Sequence, residues 1–449
     1  MSHTIATTGV SAPDRDHGPL STALRLGALF GPAVFGVTAA GVALPQVAAE
    51  LRAQPDAVAW VLTAHALALG VGTAVFGRLA DTRGLRVALW IGALLLGAGA
   101  IICLAAPGLG VLVAGRLVLA AGSGAMAAGG AALAAAVPPD RRFRVLAGYG
   151  VVIAAFAACA TLVGGVVATW VSWRATLILP ALSLAAVPLC LPLVRRAGTG
   201  RSLDVTGAAL LTLVATTLLV AIQSGTLRLP AALVVALVCC LVPAAAALAW
   251  WTRRHADGFL PHAVITDRAF LAAVAIGASV FAGLFATMYA APQILARSHG
   301  WSVLAIGAAL LPGAVVGAVL ARTAGRFHPG GRRRLLAATA LVTAAALAVA
   351  ATGAAGPWAV VAAASLSLSA FAVTQVVLTG EMSARLPIQL RGVGMGLLNL
   401  TFFVGGAAGS AVTGALSGGL GLTRALAVVA AFSVAAAVLA LSTRPAETA

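Results

Sequence analysis

The sequence predicts an all-α polytopic membrane protein with fourteen transmembrane helices, and three observations carry that expectation. Of the 449 residues, 61% are hydrophobic and only 9% are charged, at a mean hydropathy of +1.06. A soluble globule of that composition would leave far too much apolar surface in water. The apolar residues also gather into runs of about 20, the length a helix needs to cross the hydrocarbon layer. Finally, all 28 basic residues are Arg, and they fall in short clusters between the runs.

The runs lie near 23–45, 57–79, 86–106, 109–137, 143–168 and 173–194, then as a pair at 203–223 and 230–252. Six more follow near 268–291, 302–324, 332–353, 356–380, 390–415 and 421–442. Each must be helical, because lipid offers backbone amides and carbonyls no partner. Every connection is short, which leaves no room for a soluble domain. The polar residues 1–20 read as a disordered cytoplasmic N-terminus, and 444–449 as a cytoplasmic tail.

Arginine placement sets the orientation. With a cytoplasmic N-terminus, the inner segments hold 22 arginines, including Arg78/Arg83/Arg86, Arg141/Arg142/Arg144, Arg195/Arg196/Arg201, Arg253/Arg254 and Arg332/Arg333/Arg334. The outer loops hold five (Arg52, Arg174, Arg228, Arg297 and Arg424), and Arg116 alone stays inside a span. The alternation runs through all fourteen spans, so both termini are expected in the cytoplasm. The absence of Lys and the abundance of Ala and Gly read as GC-rich bacterial coding, and a bacterial inner membrane is the expected location. The net charge of +17 then reflects topology and anionic headgroups, and no nucleic-acid partner is expected.

Metal, redox and hydrolytic chemistry find no support. Cys103, Cys159, Cys190, Cys239 and Cys240 all lie in apolar runs, with no CxxC pair and no His at ligand spacing. Eleven acidic residues scattered singly make no catalytic loop, so an integral-membrane enzyme is the weakest reading. No metal or cofactor is expected, and the chain is expected to be a monomer in its bilayer.

An internal repeat divides the chain. Gly77-Arg78-Leu79-Ala80-Asp81-Thr82-Arg83-Gly84-Leu85-Arg86 stands between spans 2 and 3, and Gly325-Arg326-Phe327-His328-Pro329-Gly330-Gly331-Arg332-Arg333 between spans 10 and 11, their starts 248 residues apart. If 197–256 is an inserted two-helix hairpin, the two turns fall at matching places in six-helix bundles at 21–196 and 257–443. Small residues four apart, at Gly313/Gly317, Gly405/Gly409 and Ser365/Ser369, suit close helix approach, but chance explains any one pair equally well among 51 glycines.

The segment Gly77 to Arg86 resembles the loop 2–3 signature of the major facilitator superfamily, matching it at Gly77, Asp81, Gly84 and Arg86. Thr82 and Leu85 stand where that family usually has Arg. The resemblance implies two six-helix bundles working by alternating access, with Gly77, Arg78, Asp81, Arg83, Gly84 and Arg86 forming a gate that shuts the cytoplasmic face. Further likenesses point to the fourteen-span drug:proton antiporter group, associated with multidrug efflux and antibiotic resistance. They are Ala43-Leu44-Pro45, Trp60 to Ala64, Trp173-Arg174, Asp204 with Gly207, Leu311-Pro312, and Asn399 followed by Gly405-Gly406. The group often has Asp where Gly36 stands and Tyr where His65 stands. Its helix 5 Gly-Pro is replaced by Ala160-Thr161, and Gly164-Gly165 remain.

Polar groups inside spans are costly and therefore informative. Arg116 resembles the family's helix 4 Arg, which implies proton transfer or substrate binding, although Leu119 replaces the Gln expected three residues on. A guanidinium does not itself release a proton, but it can hold a polar substrate or act on a neighbour's ionisation. His65 is the proton candidate, because it is the one embedded side chain that titrates near neutral pH; a neutral His donating to a carbonyl would look the same in sequence. Gln375 and Asn399 are candidate cavity polar groups, and Met126, Tyr149, Phe156, Tyr289 and Phe402 candidate cavity contacts. The reading is a secondary transporter exporting drug-like molecules in exchange for protons. An importer or uniporter of a small metabolite stays open beside it.

Overall fold

The structure is a computed structural model that describes residues 18–137, 139–194, 204–222, 224, 229–255, 258–324 and 326–443. The predicted tails, Arg195/Arg196/Arg201, Arg228 and Gly325 lie outside the described residues. Among the described residues every regular element is helical, and thirteen helices are long and apolar enough to cross a membrane.

The first crossing is α1 (Pro19–Phe30), a 3-10 stretch at Gly31–Gly36, and α2 (Thr38–Glu50). Then come α3 (Pro55–Arg83), α4 (Leu85–Ala105), α5 (Leu109–Ala135) and α6 (Pro139–Trp170). The sixth crossing, expected as one helix over 173–194, is broken into α7 (Trp173–Leu177), a 3-10 turn, α8 (Ser183–Cys190) and a final 3-10 turn at Leu191–Leu193. Pro180, Pro188 and Pro192 supply no amide and interrupt the ladder. Pro32 beside Gly31 does the same in the first crossing.

The inserted pair is α9 (Val205–Ile222) and α10 (Ala231–Arg254). A short α11 (His262–Ile265) leads into α12 (Arg268–His299), α13 (Val303–Ala324), α14 (Pro329–Ala351), α15 (Gly356–Arg385), α16 (Ile388–Leu420) and α17 (Leu422–Ser442).

Small residues set how these helices approach. A Cβ on Gly313 would strike Ser365, and one on Gly317 would strike Ser369, whose hydroxyl donates to the Gly313 carbonyl at 3.0 Å. Two of the four-residue pairs seen in sequence therefore face each other across α13 and α15. Gly405 and Gly409 likewise admit the backbone of Ala278 and Ala282 on α12.

The two six-helix halves meet along two seams. In one, α3 runs antiparallel to α16, with Ala59 against Gly414, the Thr63 and Ser410 hydroxyls 2.7 Å apart, and Gly70 against Leu400 and Phe403. In the other, α6 meets α13 where Gly165 sits on Val303 and Leu304, and Gly307 sits on the Thr161 carbonyl. Gly41 of α2 also touches Met288 of α12. The α6–α13 and α2–α12 contacts lie in the half of the molecule away from the arginine-bearing turns, so this conformation is closed on that opposite face.

Candidate functional site

The 77–86 turn follows from its glycines. Gly84 ends α3 and starts α4 with φ 98°, a left-handed backbone that a side chain resists, and this forces the reversal between spans 2 and 3. Asp81 and Arg83 stand exposed in the last turn of α3, and Arg86 is exposed in the first turn of α4. Gly77 lies one turn before Asp81, and a Cβ added there would reach only the Ala128 methyl, at 4.0 Å. Arg78 donates from Nη2 to the Gly258 carbonyl, in the segment that carries the chain from the inserted pair into the second half.

That segment is organised by Asp204. Its carboxylate accepts from the Gly207 amide at 2.8 Å, the Phe259 amide at 2.7 Å and the Trp251 indole at 3.0 Å. Burial opposes ionisation here, but the Phe259 and Gly207 amides, the Trp251 indole and nearby His255 outweigh it and hold the carboxyl below its ordinary value. A group with a lowered folded-state pKa stabilises above its unfolded value and loses that contribution as pH falls through the folded one. The Phe259 amide is therefore expected to stay protected from hydrogen exchange at neutral pH and to lose protection only in acid, below the usual carboxylate range. Loss of protection near pH 6 would contradict the tie.

Arg116 of α5 is fully buried and spends its donors on backbone. Nη1 donates to the Leu177 carbonyl at 2.7 Å, Nη2 to the Gly36 carbonyl, and Nε to the Val61 carbonyl at 3.4 Å. Two of these acceptors mark helix breaks. The ladder of α2 begins with Gly41 donating to Val37, so the Gly36 carbonyl precedes it, and Leu177 is the last residue of α7. The guanidinium thus caps carbonyls released by the interruptions in the first and sixth crossings.

His65 lies against the same break. Its ring fills the space where a Gly36 side chain would stand, with Nε2 2.0 Å from the position of a Cβ. The imidazole is fully buried, and neither ring nitrogen has a hydrogen-bond partner. The carbonyl partner that a structural histidine would have is missing in this conformation. Gly36 and His65, two of the positions where the sequence departs from the antiporter pattern, are in contact.

A second set of polar residues lies mid-helix on α15 and α16, beside the α3–α16 seam. Phe371 and Gln375 are one turn apart on α15, and Asn399 and Phe403 one turn apart on α16; all four are half-buried. The Phe281 ring of α12 joins the helices, 4.9 Å from Phe371 and 5.6 Å from Phe403, edge-on to both. Gln375 Oε1 is buried without a partner. Phe402, a cavity candidate that could equally be a packing residue, is fully buried over Gly277 with its ring 4.9 Å from Phe281; helical phase places Phe403 toward Gly70 of the other half. Phase could have been read from the small residues of α16, but only once its neighbours were known.

The other cavity candidates pack within bundles. Met126 is fully buried on the α4 side of α5, and Tyr289 is fully buried with its hydroxyl 3.5 Å from Ser417. Phe156 stands edge-on to Phe35 at 5.4 Å, and Tyr149 lies over Gly130. None of them joins the Phe371–Asn399 cluster. Gly164 admits Ala39 of α2, whereas Gly165 forms the α6–α13 seam with Gly307, a partner the sequence did not single out.

Glu381 lies in the last turns of α15 at 8% exposure. Arg333, counted among the basic residues of a cytoplasmic turn, is inside α14 and is 3% exposed. They pair at 2.7 Å, with Arg333 Nε adding contacts at 3.0 and 3.2 Å. Burial of this cation is possible because its charge is met by the carboxylate and by the Thr443 hydroxyl at 2.6 Å.

Residues 26–410 match the family profile of the Major Facilitator Superfamily. The chain is 30% identical over 321 residues to the puromycin resistance protein pur8 of Streptomyces alboniger, across 69% of this chain and 63% of that protein. It thus spans less than two thirds of that relative's length. Similar solved structures include a D-xylose-proton symporter (TM-score 0.61, 16% identity, 94% of this chain and 98% of that one). Another is a POT family transporter in complex with 5-aminolevulinic acid (TM-score 0.67, 15% identity, 94% and 95%). At such identities the likeness is one of fold. The packing of two six-helix halves, the 77–86 turn and the profile agree: the chain is a multi-pass membrane protein of the Major Facilitator Superfamily.

Proposed function

We propose that the protein exports amphiphilic, drug-like molecules across a bacterial inner membrane in exchange for protons, with its arginine-bearing face in the cytoplasm. The relative named for puromycin resistance carries this reading most directly, because resistance conferred by a transporter follows from export. The Phe371, Gln375, Asn399 and Phe403 cluster suits such a substrate: aromatic faces for a flat ring and amides for its polar groups, at the seam where the halves part. Gly77, Arg78, Asp81, Arg83, Gly84 and Arg86 form the cytoplasmic gate, and Gly164 and Gly165 allow closure on the opposite face.

His65 is the proton site in this reading. It is a fully buried imidazole without a hydrogen-bond partner, set against the helix break that Arg116 holds, so a change in its protonation bears directly on the first crossing. Inverted membrane vesicles test both claims with puromycin as the probe. Acidifying the interior is expected to drive accumulation that a protonophore collapses. In His65→Gln the proton-driven component is expected to vanish, while exchange of labelled for unlabelled puromycin persists. Accumulation driven only by an alkaline interior would identify an importer, and an unchanged pH dependence in His65→Gln would remove the histidine from coupling.

A further inference from the structure

The inserted pair is held to the rest of the molecule in two ways. Along its length α9 packs on α3 and α16, the helices of one seam between the halves, burying Ala208, Ala215 and Leu219. At the arginine-bearing end a single carboxylate gathers its two ends. Asp204 precedes α9, Trp251 is in the last turn of α10, and Phe259 begins the segment that enters the second half; all three meet at Asp204. A Cβ on Gly207 or Gly258 would come within 2.4 or 2.8 Å of Asp204 Oδ2, so both glycines are needed for the carboxylate to sit so close. The next link leaves the insertion, since the carbonyl of Gly258, adjacent to the amide that Asp204 holds, is the acceptor for Arg78 at the end of α3.

We propose that Asp204 is a positioning residue for the gate: by fixing the Gly258–Phe259 turn it presents the Gly258 carbonyl to Arg78, and so couples the inserted hairpin and the entrance to the second half to the 77–86 turn. The inference rests on the reading of that turn as the gate. Movement between the halves carries α3 and the 258–265 segment with different halves, so a bond between them is strained or broken at each cycle unless the turn follows. Asp204 makes the turn follow the hairpin, which itself rides on the seam. The insertion then acts as a strap across the two halves.

The atoms of the carboxylate provide a selective test. Gly207 and Trp251 both donate to Oδ1, and Phe259 alone donates to Oδ2. Asp204→Asn keeps the two Oδ1 contacts and places an amide donor against the Phe259 amide, so it frees the turn without uncapping α9. Hydrogen exchange on the full-length protein in detergent is the readout, with Arg78→Ala and the double variant beside it. Asp204→Asn is expected to raise exchange in 77–86 and 258–265 by about five-fold, as loss of one hydrogen bond would, with 205–222 unchanged. Arg78→Ala is expected to raise exchange in 77–86 equally, and the double variant no further. Unchanged exchange at 77–86 in Asp204→Asn, effects that multiply in the double variant, or a rise confined to 205–222 would each overturn the proposal. These results do not depend on transport direction, so a wild-type protein that moved no solute in vesicles would remove the export reading and leave this one standing or falling by exchange.

Discussion

Replacing Arg116 with Ala is expected to abolish transport and to destabilise the folded protein, because the substitution strands two main-chain carbonyls in the membrane interior. The Gly36 and Leu177 carbonyls lie at breaks in the first and sixth crossings and receive the guanidinium. Each buried acceptor left without a partner costs about 1–3 kcal/mol, so the pair costs roughly 2–6 kcal/mol, a large fraction of a typical domain's stability. Arg116→Lys is expected to be nearly as damaging, since a single ammonium cannot reproduce a fork that spans three helices. Thermal unfolding in detergent, followed by transport of whatever folds, checks this. A variant with wild-type melting and no transport would move Arg116 from scaffold to substrate or proton chemistry, and one with full activity would remove it from both.

The second large effect is expected at Arg333 and Glu381. Subtracting the 248-residue offset of the internal repeat from these positions gives Leu85 and Leu133, which are both buried in one apolar cluster of the first half. The same place in the two halves is thus filled by leucines in one and by an ion pair in the other. Removing one charge leaves its partner buried and uncompensated, at about 3–5 kcal/mol. Replacing both by apolar residues of similar volume is often neutral or stabilising. Arg333→Leu and Glu381→Leu are therefore expected to express poorly and melt early, and the double Leu variant to recover wild-type melting. If the double variant melts as early as either single one, the repeat does not extend to packing at this position.

Much of this architecture was legible in the sequence because its causes are local. Apolar runs fix the crossings, arginines fix the connections, and Gly84 fixes the turn after the second span through its positive φ. The 77–86 turn was visible for the same reason. What the sequence could not carry is which faces meet. Gly313/Gly317 and Ser365/Ser369 were visible as spacings, but their pairing across α13 and α15 needs the third dimension. Arg333 looked like one more basic residue of a turn, since its partner is 48 residues away. Arg116 is a buried charge of the kind that marks a site, and only the fold shows that its partners are carbonyls at the breaks in the first and sixth crossings. Phe402 and Phe403 differ by one position, and only packing against Gly277 and Gly70 decides which of them reaches the seam.

Access to that seam is the most direct test of alternating movement of the two halves. In a background with the five native cysteines removed, Phe403→Cys places one thiol among the proposed substrate contacts. A membrane-impermeant maleimide is expected to label it from the arginine-bearing face and not from the other, because Gly165 and Gly307 close the opposite side. Adding Gly307→Leu, whose side chain would collide with the Thr161 carbonyl, is expected to open labelling from that opposite face and to stop turnover. Equal labelling from both faces before Gly307 is changed, or no change after it, would contradict the account.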